Sequence, residues 1–417
     1  MTRIPAAGSR IGRSFGRRAY RAALLAPLLL LLAACAPAAV AQSPPTAALT
    51  GGSGAYPVAP RFSDREFIAS DGARLPLRKW LPRGPVRAVI LALHGFNDYS
   101  HAFEIPAKTW AARGIATYAY DQRGFGAAPD RGLWVGEGRL AVDAITAIRV
   151  LRRTYPGVPV YLLGESMGGA IAILAATGTM KGVAAGPEGI ARAAADGVIL
   201  SAPAVWGRAT MDLLPKAALF LAVRFFPDAV LSGSGLGIRI SDNTAVLRQM
   251  ARDPLIIKGT RVDAVYGLVD LMDSALAAAP LLDVPLLLMY GAHDQVVPRR
   301  PVAEFVAHLP AAPRDPRRLA YYPAGYHLLL RDLDGGVVAA DVASWVADPR
   351  APLPSGADRA ATVVPWPPSP EPAPAPAAVQ AKRRQAASSE VSAPERNSPT
   401  GLRNSRAATL APARASE

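Results

Sequence analysis

The sequence has a single cysteine, Cys35, among its 417 residues. A chain with one thiol cannot form an intramolecular disulfide, so the fold has to be stabilised by its core. Histidine is also scarce, with five residues in the whole chain. Few side chains can therefore serve as a base near neutral pH.

The chain also lacks a run of lysine and arginine with interleaved aromatic residues, although its formal net charge is +14. Residues 1–34 carry six arginines and no acid, and residues 350–417 carry nine basic and five acidic residues. Residues 35–349 therefore contribute only +4 of the total. This distribution argues against a phosphate-binding face, and we expect no nucleic-acid partner.

The longest apolar run near the N-terminus, residues 22–34, is too short for a membrane-spanning helix and contains Pro27. It holds seven leucines and follows an arginine-rich stretch, a pattern typical of an export signal. Arg17-Arg18 could also mark a twin-arginine signal. Two ends of the signal compete, one at Cys35 and one after Ala41.

Leu32-Ala33-Ala34-Cys35 resembles the lipobox of bacterial lipoproteins, which predicts residues 1–34 as the signal and a lipidated Cys35 as the first mature residue. Small residues before Gln42 would instead allow ordinary cleavage after Ala41. We favour lipidation. The prediction is then an exported cell-envelope protein on the periplasmic side, anchored to a membrane by its lipid; a soluble periplasmic or secreted protein is the alternative.

Composition divides the rest of the chain into three parts. Residues 35–61, rich in proline, glycine and serine, predict a flexible tether. Residues 62–349 are long enough for one large domain with a sizeable core. Residues 350–417 are rich in proline, alanine, serine and arginine, and predict a disordered tail.

Apolar patterns in residues 62–349 predict eight strands. Glu66–Ser70 and Arg74–Leu81 alternate across Asp71-Gly72 like an antiparallel hairpin. Continuous apolar runs, typical of strands buried on both faces, follow at Val86–His94, Ile115–Tyr120, 158–163, Gly197–Ser201, Pro285–Gly291 and Arg318–Tyr322. Helical periodicity between most of them predicts an α/β fold, with a mostly parallel sheet covered by helices on both faces.

An insertion at about 203–283 separates predicted strands 6 and 7. It contains two apolar helical stretches, Met211–Phe226 and Val262–Ala279. Because it follows a strand end, we expect it to form a helical cap over the carboxyl edge of the sheet, where ligands bind in such folds. The alternative is that these are core helices with ordinary amphipathic spacing.

The segment Gly164-Glu165-Ser166-Met167-Gly168 lies between an apolar strand and a helix of small residues. In this context G-x-S-x-G is typical of a nucleophile elbow, a turn so tight that only small residues fit beside the serine. Ser166 is therefore the predicted nucleophile. The alternative is an ordinary Gly/Ser turn.

A serine hydroxyl needs a base, and the base needs an acceptor that orients it. With an elbow of this type the chain order is serine, acid, histidine, and the histidine follows the last strand. His327 fits that position, whereas His308 lies in a helical stretch and is expected on the surface. Asp294, just past the seventh strand, is the predicted acid, with Asp283 and Asp270 as alternatives.

The oxyanion of a tetrahedral intermediate needs preorganised donors, which backbone N–H groups can supply. One is expected from Met167, the residue after the nucleophile. The other is expected from Phe96, in the loop after the third strand. His94, in the same loop, is predicted to have a structural role.

Seven segments resemble the monoacylglycerol lipase and lysophospholipase group of α/β-hydrolases: His94-Gly95-Phe96, Asp121-Gln122-Arg123-Gly124-Phe125-Gly126, Gly164-Glu165-Ser166-Met167-Gly168-Gly169, Ser201-Ala202-Pro203-Ala204, Asp253-Pro254-Leu255, Tyr290-Gly291-Ala292-His293-Asp294 and Gly325-Tyr326-His327. The likeness covers about 62–347, and some relatives in the group carry a serine-aminopeptidase label. It implies acyl-ester hydrolysis under a helical cap, with no metal and no organic cofactor. Glu165 departs from the histidine common before the serine in that group, so the pH profile or substrate range could differ.

The resulting hypothesis is a serine hydrolase that cleaves carboxylic esters of acyl lipids, monoacylglycerol or lysophospholipid, through an acyl-enzyme. A short-chain carboxylesterase and an aminopeptidase-like amidase are the alternatives within enzymes. A non-catalytic envelope binding module on the same fold is the alternative of another class.

Overall fold

The computed structural model describes residues 58–180, 192–233, 237–311, 315–362 and 366–368. The chain divides into two units, residues 1–370 and 371–417, and all described residues belong to the first. The predicted export signal with Cys35, most of the predicted tether and most of the predicted tail lie outside the described residues.

Eleven strands occur in the described residues: β1 Arg61–Phe62, β2 Glu66–Ile68, β3 Arg74–Trp80, β4 Ala88–Leu93, β5 Ile115–Tyr120, β6 Val160–Glu165, β7 Gly197–Ser201, β8 Val230–Ser232, β9 Gly259–Arg261, β10 Leu286–Gly291 and β11 Arg317–Tyr322. Nine of them form one sheet in the order β1-β2-β3-β5-β4-β6-β7-β10-β11. β1, β2 and β3 pair antiparallel with their neighbours, and the pairs from β5 to β11 are parallel. The mostly parallel sheet and the β2–β3 hairpin agree with the sequence prediction.

Two details of the predicted strand set are wrong. The main sheet has nine strands rather than eight, because Arg61–Phe62 adds an edge strand that is too short to show alternation. The insertion also contains a two-stranded antiparallel ribbon, β8–β9. Strands of three residues leave no readable period in a sequence.

Eight α-helices occur in the described residues: α1 Glu104–Ala111, α2 Glu137–Thr154, α3 Met167–Thr177, α4 Leu213–Phe225, α5 Thr244–Arg252, α6 Val262–Ala278, α7 Arg299–His308 and α8 Gly335–Ala347. α2, α3, α6 and α7 share one apolar cluster with the sheet, and α1 and α8 share a second cluster on its other face. Alternate residues of β4 enter the two clusters, Val89 and Leu91 on one face, Ile90 and Ala92 on the other. Helices on both faces therefore bury the sheet, as predicted.

The insertion between β7 and β10 holds α4, α5 and α6. α4 and α6 correspond to the two predicted apolar stretches, whereas α5 was not predicted. α6 packs against α3, and Leu271 and Ala275 on it are fully buried in the main core. The prediction of core helices thus holds for α6, while α4 buries only Val223 among its residues. Val262–Leu281 is long and apolar enough to cross a bilayer, but 56% of its most apolar window is buried inside the protein.

The described residues of the domain extend past residue 350, where the tail was predicted to begin. Residues 357–362 form a 3₁₀ segment beside β11, and Arg318 Nη1 pairs with Asp358 Oδ2 at 3.1 Å. Leu353 and Trp366 are buried against the domain. The prediction of disorder from residue 350 onward is wrong for these residues. Leu353 and Trp366 are isolated apolar residues among prolines and alanines, so the composition of the segment does not indicate that they are buried.

Candidate active site

Ser166 occupies a strained turn between β6 and α3. Its φ is +53°, a backbone conformation that residues other than glycine rarely adopt. A Cβ on Gly164 would lie 2.2 Å from the carbonyl oxygen of Gly168, and one on Gly168 would lie 2.0 Å from that of Leu93. Both positions therefore require glycine, which is the physical basis of the G-x-S-x-G pattern.

Asp294 and His327 meet at the carboxyl ends of β10 and β11. His327 Nδ1 lies 2.9 Å from Asp294 Oδ2, and both side chains are buried. The other carboxylate oxygen, Oδ1, accepts the backbone N–H groups of Val296 at 2.8 Å and Val297 at 3.0 Å. The carboxylate is thus fixed on both sides, and it fixes the imidazole with Nδ1 as the donor.

The surroundings of His327 favour its charged form. Burial by itself lowers the pKa of the imidazole, but the charge and hydrogen bond of Asp294 more than offset this effect. The pKa of His327 is therefore raised above its ordinary value of 6.5. An imidazole in this environment is a stronger base for a serine proton.

The two predicted oxyanion donors flank Ser166. Met167 is the first residue of α3, where backbone N–H groups have no partner within the helix. Phe96 follows β4 and lines the same cavity as Ser166. A Cβ on Gly95 would lie only 3.4 Å from Ser166 Cβ, so the backbone of this loop runs directly against the nucleophile.

His94 has a structural role, as predicted. Its Nδ1 donates to the carbonyl oxygen of Gly95 at 2.8 Å, and its Nε2 accepts the backbone N–H of Gln122 at 3.0 Å. Burial is the largest influence on this ring and lowers its pKa. A neutral His94 therefore connects the loop after β4 to the loop after β5.

The remaining candidates lie away from the site. Asp283 precedes β10, at the opposite end of the strand from Asp294. Asp270 pairs with Arg208 at 2.7 Å. His308 is exposed at the end of α7, as predicted for a surface residue.

A cavity of about 480 Å³ contains Ser166 and His327 in its wall. The rest of the wall comes mainly from apolar side chains of the insertion and of the loop after β10, among them Trp206, Met211, Leu268, Val269, Met272 and Val296. An apolar cavity beside a fixed polar group suits a ligand with a hydrocarbon chain. Side chains of the insertion therefore form much of the wall of this cavity, which is the place where the sequence predicts a cap.

The insertion is held to both loops that flank Ser166. The backbone N–H of Leu328 donates to the carbonyl oxygen of Ile240 at 3.0 Å, next to His327. On the other side, the N–H of Ile257 donates to the carbonyl oxygen of Asn97 at 3.0 Å. The position of the cap is thus coupled to the loops of Phe96 and His327.

The sequence reasoning missed Arg331, which is buried beside the site. Its Nη2 lies 2.5 Å from Glu165 Oε1 and its Nη1 lies 2.7 Å from Asp98 Oδ2. A signal was present, since Arg331 follows the apolar run Leu328-Leu329-Leu330 directly after His327. Its two partners could not be read from the sequence.

Among the described residues, no group of three or more histidine, cysteine, aspartate or glutamate side chains could hold a metal ion. The site consists of a serine, an imidazole–carboxylate pair and backbone N–H groups. This is the set that nucleophilic acyl transfer requires.

Comparison with known proteins agrees with this chemistry. The family model described as serine aminopeptidase, S33 matches residues 84–334. Human monoglyceride lipase is 29% identical over 273 residues, which cover 64% of this chain and 84% of that protein. Monoacylglycerol lipase of Mycolicibacterium smegmatis is 24% identical over 296 residues, which cover 68% of this chain and 96% of that one.

A crystal structure of a soluble variant of monoglyceride lipase from Saccharomyces cerevisiae, in complex with a substrate analog, has the same fold. Its TM-score is 0.55 at 20% sequence identity, and the alignment covers 73% of this chain and 98% of the yeast chain. More than half of the present chain, including Ser166, Asp294 and His327, falls within the matched family region.

Proposed function

Since the chain belongs to the serine aminopeptidase S33 family and is a serine hydrolase of the α/β type, we propose that it cleaves carboxylic esters of acyl lipids through an acyl-enzyme on Ser166. Monoacylglycerol or lysophospholipid is the proposed substrate class. The contact that supports this proposal most directly is the buried His327–Asp294 pair in the wall of the cavity that contains Ser166.

The proposed reaction begins when Ser166 Oγ attacks the ester carbonyl and its proton passes to His327 Nε2. Nε2 is the available nitrogen because Nδ1 is engaged with Asp294. The tetrahedral intermediate collapses when the imidazolium returns the proton to the leaving alcohol, and the acyl group stays on Ser166. Water activated by His327 then releases the carboxylic acid and restores the serine.

The backbone N–H groups of Met167 and Phe96 are the proposed donors to the oxyanion. Backbone donors fixed by a helix start and a short loop need no reorganisation as charge develops on the carbonyl oxygen. The cavity wall supports an acyl chain over a charged group, because most of its side chains are apolar.

A substrate panel tests the proposal. Purified protein is assayed on monoacylglycerols and lysophospholipids of increasing chain length, on short-chain esters and on aminoacyl amides. We expect long-chain acyl esters to have the highest kcat/KM, with Ser166→Ala inactive. Preference for short-chain esters would change the substrate class, and a clear preference for aminoacyl amides would overturn the ester assignment.

We also propose that the protein works at a membrane surface in the cell envelope. The Cys35 segment supports a lipid anchor. The cap supports contact with lipid, because α4, β8 and the turn between them expose a group of large apolar side chains, namely Leu213, Leu214, Phe220, Leu221, Phe225, Phe226, Val230 and Leu231. Mass spectrometry of the mature protein should find an acylated Cys35, and a first residue at Gln42 would rule the anchor out.

A further inference from the structure

Arg331 is in contact with two of the loops around Ser166 and belongs to the third. Asp98, which receives Nη1, lies in the loop of Phe96, and Glu165, which receives Nη2, immediately precedes Ser166. Arg331 itself lies four residues after His327, at the end of the 3₁₀ segment Leu329–Arg331. One guanidinium therefore connects the loops that carry the oxyanion donor, the nucleophile and the base.

The connection is shielded from solvent. The side chains of Arg331, Asp98 and Glu165 are 6%, 7% and 1% exposed. Hydrogen bonds between charged groups are strengthened where water is excluded, and breaking one leaves a buried charge without compensation. Asp98 is held further by the backbone N–H of Tyr99, which donates to its Oδ1 at 2.8 Å.

Glu165 on its own would oppose the reaction. Negative charge develops on the carbonyl oxygen of the ester that Ser166 attacks, and a carboxylate on the preceding residue would repel it. Burial raises the pKa of Glu165, whereas the guanidinium of Arg331 lowers it. Oε1 also lies 3.9 Å from the Cβ position of Gly95, so the carboxylate faces the loop of the oxyanion donor. A charge at this place needs a partner, and Arg331 supplies it.

We propose that Arg331 is a positioning residue: it holds the Phe96 loop, the Ser166 turn and the His327 loop in register and neutralises Glu165 beside the nucleophile. The proposal explains how this chain functions with a carboxylate in place of the histidine common in the group it resembles. It rests on the proposed ester hydrolysis and names a residue that acts through the catalytic groups rather than on substrate.

The charges around His327 give the proposal a distinctive readout. Asp294 and Glu165 stabilise the imidazolium, and Arg331 destabilises it. Asp332, in the same loop, accepts the N–H of Tyr326 at 2.7 Å and the hydroxyl of Ser241 at 2.6 Å, and Asp98 is paired with Arg331. Removing the charge of Glu165 should therefore lower the pKa of His327, and removing that of Arg331 should raise it.

The experiment measures kcat, KM and the pH profile of kcat/KM on a soluble p-nitrophenyl ester for the wild type, Arg331→Met, Glu165→Gln, the double variant and Arg331→Lys. We expect Arg331→Met to lower kcat about tenfold or more with a smaller change in KM. The low-pH limb of its kcat/KM profile should move to higher pH by about half a pH unit. The limb of Glu165→Gln should move to lower pH by a similar amount. The double variant should return the limb towards the wild-type position.

Arg331→Lys separates charge from geometry. The ammonium of lysine keeps the positive charge but lacks the two Nη groups with which the guanidinium contacts Asp98 and Glu165 separately. We expect its low-pH limb to stay near that of the wild type while kcat falls. Equal kcat and unshifted limbs in all variants, or shifts of Arg331→Met and Glu165→Gln in the same direction, would overturn the proposal.

Two controls keep the outcome interpretable. If Arg331→Met does not fold, Arg331→Lys decides: the proposal predicts a lower kcat with an unshifted low-pH limb, and a folded Arg331→Lys protein with the kcat of the wild type would overturn it. If the wild-type protein hydrolyses no ester, the proposed function fails. If the wild type hydrolyses the ester and the variants keep its kcat and its pH profile, only the role of Arg331 is contradicted.

Discussion

At the scale of single residues, the central contact is the hydrogen bond between Asp294 and His327. The carboxylate accepts from two backbone N–H groups with one oxygen and from the imidazole with the other. An amide at this position could satisfy the backbone donors with its oxygen. Its NH₂ group would then face Nδ1 and favour the tautomer that cannot accept the serine proton.

Asp294→Asn is therefore expected to lower kcat/KM at neutral pH by about 10³- to 10⁴-fold. Its low-pH limb should also move down, because the raised pKa of His327 depends on the charge of Asp294. In the wild type, activity should fall as the pH drops through this raised pKa, above 6.5, since the imidazolium cannot take a proton. Asp283→Asn, at the opposite end of β10, serves as the control and should retain activity; an active Asp294→Asn with an inactive Asp283→Asn would contradict the assignment.

The sequence could predict residues that are defined by local pattern and chain order. Ser166, Asp294 and His327 follow from the elbow and from the ends of two strands, and the structure brings the second and third within hydrogen-bond distance. The role of Arg331 could not be predicted. Its partners, Asp98 and Glu165, are 233 and 166 residues away, and no local period reports such a pairing.

At the scale of elements, the strand–turn–helix unit of β6 and α3 depends on glycine. A Cβ at residue 168 would meet the backbone oxygen of Leu93, which belongs to the adjacent strand β4 and cannot turn away. The close approach of this helix start to the sheet is what places Ser166 next to the Phe96 loop. The turn and the fold are thus mutually dependent.

Gly168→Ala should destabilise the protein by about 1–3 kcal/mol and slow the reaction of Ser166 with an ester. Gly336→Ala is the matched control: Gly336 lies in α8 with open space around its Cβ position. That variant should be stabilised by about 0.5–1 kcal/mol, because alanine is the better helix former. Urea unfolding of both variants measures the difference, and a Gly168→Ala protein as stable as the wild type would contradict the close packing.

The elements of the insertion were predicted only in part. The long apolar helices α4 and α6 have a readable pattern. The ribbon β8–β9 does not, because each of its strands has three residues. The helix α5 is amphipathic over nine residues, and the sequence reasoning missed that pattern. Whether an apolar helix covers the site or packs in the core also depends on its neighbours, as the burial of α6 against α3 demonstrates.

At the scale of the whole molecule, the exposed apolar side chains of α4 belong to the same insertion that lines the cavity of Ser166. Leu213 and Leu214 are about four-fifths exposed, at 81% and 80%. Leu81 is half exposed but follows β3, whose end pairs with the beginning of β5 at the opposite edge of the sheet. The two surfaces allow the proposed lipid contact to be tested within one protein.

In a Cys35→Ala background, which removes the proposed anchor, we expect the protein to sediment with phospholipid vesicles. Leu213→Glu combined with Leu214→Glu should reduce the vesicle-bound fraction about tenfold or more, since two apolar side chains are lost from the contact. Leu81→Glu should bind as the background protein does. Equal binding of all three proteins would show that the cap surface does not contact lipid.

Reaction of the intact protein with a fluorophosphonate probe, followed by mass spectrometry of its peptides, measures directly whether Ser166 is the nucleophile. We expect one probe molecule per chain, attached to Ser166, and no labelling of Ser166→Ala. Absence of labelling in the wild type, or undiminished labelling of Ser166→Ala, would contradict this role of Ser166.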